Sequence, residues 1–78
     1  MRVLFFAQTR SVTGVGEAVI EADGVDEQAL WSIVLTRWPG LAAMRAQTRL
    51  ARNGVYVSPG ELFRAGDEVA LIPPVSGG

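Results

Sequence analysis

The 78-residue sequence predicts an α+β roll, a mixed sheet with one main helix packed on one face. Three observations carry the prediction. The chain opens on "RVLFFA", a β-branched and aromatic run that is apolar on both alternating faces. Its middle, "DEQALWSIVLTRWPG", has helical spacing between a start signal and a stop signal. The remainder is a set of short strand-like runs around an Asn-Gly turn.

Each element has its own reason. Arg2 to Ala7 reads as an interior strand. The stretch "QTRSVTGVG" carries Ser11, Thr13, Gly14 and Gly16 and reads as a turn or loop. Glu17 to Ala22 alternates, with Ala18 and Ile20 on one face and Glu17, Val19 and Glu21 on the other, so a second strand closing a hairpin is expected. Asp26 is placed to cap a helix, Glu27 adds favourable charge at that end, and Val25 and Leu30 take the positions of a hydrophobic staple. Leu30, Trp31, Val34, Leu35 and Trp38 form its apolar stripe, and Pro39-Gly40 ends it. The two tryptophans are expected to fill the core. Leu41 to Gln47 reads as a further helical turn with Leu41 and Met44 inward.

Arg49 to Arg52 is a short strand, Asn53-Gly54 a hairpin turn device and "VYV" a brief return broken by "SPG". Leu62 and Phe63 are expected to plug a turn, Gly66-Asp67 to make another, and Glu68 to Ile72 to form the last strand. On that strand Val69 and Leu71 face one side, Ala70 and Ile72 the other. The order is that of the ubiquitin-like β-grasp roll. One helix covers one sheet face, so the opposite face is either polar or meant for a partner.

Composition excludes several functions. With 49% apolar and 19% charged residues the chain lies well away from the disordered class. A net charge of −1 without a basic patch gives nucleic-acid binding little to work with. No apolar run approaches a membrane span, and the N-terminus lacks a secretory signal, so a cytoplasmic protein is expected. Histidine, cysteine and lysine are all absent, and all seven basic residues are arginine. That removes the usual general base, the thiolate nucleophile and most transition-metal ligands, so no side-chain catalysis and no bound cofactor or metal are expected of this chain.

The domain is expected to span residues 1–72, leaving 73–78, "PPVSGG", as a flexible tail. Pro73 and Pro74 fix φ and favour an extended exit. Val75 offers one apolar grip and Ser76 a small hydroxyl. Gly77 and Gly78 lack a Cβ and fit a channel only as wide as backbone. The one reactive group at the tip is the Gly78 α-carboxylate. Adenylation would turn its oxygen into a leaving group, and a sulfur or nitrogen nucleophile would then displace AMP. ATP would have to be bound by a partner, because no phosphate-binding glycine motif is present.

"GDEVALIPPVSGG" (Gly66 to Gly78) closely resembles the C-terminal signature of the small sulfur-carrier subunits of molybdopterin synthase, the MoaD family among the MoaD/ThiS ubiquitin-like carriers. "VLFFAQTR", "ALWSIVLTRWPGL" and Asn53 fit the same family. The resemblance implies that an activating enzyme of the E1 class adenylates Gly78 with ATP and that sulfur replaces AMP, leaving a thiocarboxylate (1-thioglycine). Pro73, Pro74, Val75 and Ser76 would be the docking arm, and Gly77 would pass through the channel. The large subunit would supply the catalytic side chains and take the sulfur to cyclic pyranopterin monophosphate, in a heterotetramer of two large and two small subunits. Arg52 departs from the pattern, standing where the family usually has an apolar strand residue. Sulfur carriers for thiazole, cysteine or tRNA thiolation, a ubiquitin-like modifier forming isopeptide bonds, and a ubiquitin-like interaction module with an unmodified terminus are the alternatives.

Overall fold

A computed structural model describes residues 1–74. In chain order the elements are β1 (Arg2–Phe5), α1 (Ala7–Thr13), β2 (Glu17–Val19), α2 (Glu27–Arg37), a 3-10 helix (Pro39–Gln47), β3 (Arg49–Arg52), β4 (Val55–Tyr56) and β5 (Glu68–Ile72). The strands form one mixed sheet in the order β2-β1-β5-β3-β4. Its central pair, β1 and β5, is parallel, with Phe5 opposite Leu71; the other pairings are antiparallel.

Strand alternation sends Val3, Phe5, Leu50, Val69 and Leu71 to one face, where all are buried. Leu30, Trp31 and Val34 of α2 cover that face, with Leu41 of the 3-10 helix beside them. Each such side chain contributes roughly 1.5–3 kcal/mol by leaving water, which is how so small a core holds. Helix α2 begins as its sequence directs: the amide of Ala29 donates to Asp26 Oδ1 at 2.8 Å. It stops at Arg37 before Pro39. Of the two tryptophans, Trp31 is buried, whereas Trp38 is partly exposed and meets Phe5 edge to face with ring centroids 4.8 Å apart.

The expected loop after β1 is instead helix α1, so β1 and β2 pair without a tight hairpin between them. Its stop is local: Gly14 closes the helix at φ 78°, its amide donating to the Arg10 carbonyl at 2.8 Å. Its entry residue Phe6 offers no capping oxygen, and Ala7 sits at φ 49°, in the left-handed region that disfavours a Cβ. Short-range bonds at the entry and packing against other elements supply the support. Thr9 is fully buried, accepting from the Phe6 amide at 2.9 Å and donating to the Phe6 carbonyl at 2.7 Å. Val12 leans on Gly40 so closely that a Cβ there would come within 2.9 Å of Val12 Cγ1.

Three smaller expectations also change. Strand β2 ends at Val19 rather than Ala22, although Ile20 still exchanges backbone bonds with Met1. Phe63 alone plugs its turn, paired through the backbone with Val25, while Leu62 is exposed. Asn53 is more than a turn device. It takes φ 51° beside Gly54 at φ 85°, and its side chain also reaches β5, donating to Asp67 Oδ1 at 3.1 Å and accepting from the Glu68 amide at 2.9 Å.

Candidate functional site: the root of the tail and the open sheet face

Because β1 and β5 run parallel, both end at the same rim of the sheet. The chain therefore leaves β5 beside the start of α1 on one side and the start of β3 on the other, where Arg49 lies opposite Ile72. Pro73 keeps the alternation of Val69 and Leu71 for one more step and is buried; Pro74 is exposed. Proline has no N–H to donate, so pairing with a neighbouring strand weakens at this point. Of the predicted tail residues, the structure places Pro73 as a plug at the core's rim and Pro74 as the first exposed residue. The readings on Val75, Ser76, Gly77 and Gly78 fall outside the described residues.

Among the described residues no helix covers the sheet face opposite α2. Alternation and register place Leu4, Ala51, Ala70 and Ile72 along its middle, with Val19 and Tyr56 toward its two edges. Val19 and Tyr56 are 64% and 48% exposed, and Phe6, 48% exposed, stands at the rim where the tail leaves. Apolar surface of this kind, joined to the root of the tail, is what a protein partner covers.

Four charged residues share the face. Arg2 pairs with both Glu68 and Glu17, the latter at 3.5 Å. The hydrogen bond to Glu68, then the charges of Glu68 and Glu17, raise the Arg2 guanidinium above its ordinary pKa. Arg49 has no acidic partner among the described residues and lies over the ring of Tyr56, 3.9 Å from its centroid.

The structure also accounts for Arg52. At the end of β3 its guanidinium turns to the segment after β4, donating to the Leu62 carbonyl at 2.7 Å and pairing with Glu61. The other oxygen of Glu61 accepts from the Ser58 amide. That backbone bond first, and Arg52 second, hold the Glu61 carboxyl below its usual range. Asp67 is held low in the same manner by the Arg64 amide, 2.8 Å away, and then by Asn53. An arginine in an apolar strand position thus closes a loop.

Among the described residues no group of three or more His, Cys, Asp or Glu side chains could hold a metal ion. None of their helices is long and apolar enough to cross a membrane. An open depression lined by Asp26, Glu27, Gln28, Arg45, Pro59 and Gly60 contains neither tail-root residue. What this arrangement offers chemically is a holder with a strand-borne exit.

Comparison with known proteins agrees with that description. Residues 3–78 match the ThiS family. The molybdopterin synthase sulfur carrier subunit of Homo sapiens is 39% identical over 82 aligned positions, covering 100% of this chain and 93% of the human one. The crystal structure of SAMP1 from Haloferax volcanii superposes with a TM-score of 0.84 at 28% identity, covering 99% and 97% of the two chains. The complex of subunits 1 and 2 of the molybdopterin-converting factor from Helicobacter pylori contains a chain that superposes with a TM-score of 0.72 at 27% identity, covering 99% and 96%.

Proposed function

The chain belongs to the ThiS family, and on that premise we propose that it is the sulfur-carrier subunit of molybdopterin synthase. The observation that carries the reading is the full-length likeness to the human sulfur carrier subunit, joined to a terminus that offers one reactive group. An E1-like enzyme binds ATP and adenylates the Gly78 carboxylate, with loss of pyrophosphate. The outer sulfur of a persulfide donor then attacks the acyl carbon and expels AMP, and a second thiol cleaves the resulting acyl disulfide, leaving the thiocarboxylate and a disulfide. The large subunit receives Gly77 and Gly78 in a backbone-wide channel and passes the sulfur to cyclic pyranopterin monophosphate. The Helicobacter pylori complex supports a two-subunit assembly of this kind, and a heterotetramer of two large and two small subunits is proposed here.

The fold supports this division of labour. A carrier must be gripped in turn by the enzyme that loads it and the enzyme that unloads it. The open face and Phe6 give both the same handle, next to the same exit. The sequence has no histidine, cysteine or lysine, and the catalytic side chains are assigned to the partners.

The test is reconstitution. The loaded chain, the large subunit and cyclic pyranopterin monophosphate should yield molybdopterin, and a variant lacking Gly77 and Gly78 should yield none. Product formed at an undiminished rate by the truncated chain would defeat the reading. A protein-modifier role is the second reading, favoured by the likeness to a small archaeal modifier protein of Haloferax volcanii. It predicts isopeptide-linked adducts on other proteins after activation, where the carrier reading predicts a free thiocarboxylate.

A further inference from the structure

The geometry points to Arg49 as an electrostatic specificity determinant: it meets a carboxylate that the large subunit presents at the mouth of its tail channel. This rests on the reading above and names the chemistry of the surface that receives the tail. Three observations support it. Register puts Arg49 opposite Ile72, the last strand residue before Pro73 and Pro74, so its charge lies at the root of the tail. The other charges of the open face are paired with one another, Arg2 with both Glu17 and Glu68, which leaves Arg49 as the cation on that face without an acidic partner among the described residues. Tyr56 holds the guanidinium over its ring at 3.9 Å, so the cation is positioned before any partner arrives.

An arginine stacked on an exposed ring beside apolar surface is costly to cover unless it is met by an opposite charge. A partner covering Leu4, Ala70 and Ile72 must therefore desolvate Arg49 or pair it. A single complementary carboxylate would steer encounter and fix the register in which the tail enters, an effect seen more in association rate and selectivity than in total affinity. Arg52, two residues along the same strand, contributes nothing to this, because its charge is taken up by Glu61.

The experiment measures association of the full chain with the molybdopterin synthase large subunit of the same organism, as a function of ionic strength. Wild-type association should slow as salt rises. Arg49→Glu should associate about tenfold more slowly at low salt and lose or invert the salt dependence. Arg49→Gln should fall between the two. Arg10→Glu, an equal charge change on α1, tests whether net charge alone is responsible and should change the rate much less. Circular dichroism of each variant checks the fold, and Arg49→Gln keeps the test valid if the charge reversal unfolds the chain. If molybdopterin forms but Arg49→Glu associates as fast as wild type, or no more slowly than Arg10→Glu, the inference is overturned and the carrier reading stands. If the wild type neither binds the large subunit nor supports molybdopterin formation, both fall together.

Discussion

Phe5 lies directly opposite Leu71 in the parallel pairing of the first and last strands. This one relationship fixes where the tail emerges, because it brings the end of β5 to the rim on which α1 begins. Both residues are essentially inaccessible, so the exit is as rigid as the core itself.

Leu71→Ala should accordingly cost more than an ordinary surface change. Truncating a fully buried leucine removes its transfer energy and leaves a cavity, for a loss of about 2–5 kcal/mol. Urea denaturation followed by tryptophan fluorescence measures this, and a loss well below 1 kcal/mol would show that β5 does not anchor the tail to the core.

Arg52→Leu restores the apolar residue usual in this family but removes the bonds to Leu62 and Glu61. The account predicts faster amide hydrogen exchange at Ser58 and through residues 58–62, with little change in α2. Uniform exchange across wild type and variant would show that the clamp holds nothing.

Stability should decline on acidification in a defined window. The Glu61 and Asp67 carboxyls are held below their usual values in the folded chain. Each therefore contributes stability that is present above its unfolded pKa, about 4.3 for Glu and 3.9 for Asp. That contribution is lost as pH falls through the lower folded value. Thermal midpoints of wild type should drop across this range, and Glu61→Gln with Asp67→Asn should flatten the drop. An equal slope in the double variant would contradict the assignment.

Ala7 has a left-handed φ that glycine adopts without cost. Relief of that strain, set against the greater freedom of glycine when unfolded, makes Ala7→Gly neutral to about 1 kcal/mol more stable. Ala7→Val should be destabilised. A glycine variant clearly less stable than wild type would show that the alanine methyl packs usefully.

Much of the fold was legible because its signals are local. Asp26 caps α2, Pro39 stops it, Asn53-Gly54 turns β3 into β4, and the alternation of Val69, Leu71 and their neighbours declares the buried side of β5. Helix α1 was not legible, since its support comes from the burial of Thr9 and the seat of Val12 on Gly40, both contacts between elements. The role of Arg52 was hidden for the same reason: its partners lie on the segment following β4. For the site, the sequence alone pointed to the tail. It did not show that Pro73 is buried, nor that Arg49 and Ile72 would stand together at the tail's root, because pairing register is a property of the sheet.

The central claim is that Gly78 carries sulfur. Its most direct test is the intact mass of the chain after incubation with ATP, a persulfide donor, a reducing thiol and the E1-like activating enzyme of the same organism. The account predicts a gain equal to the replacement of one oxygen by sulfur, absent from a variant lacking Gly78. An unchanged mass, with the activating enzyme shown to be active on another carrier, would contradict it.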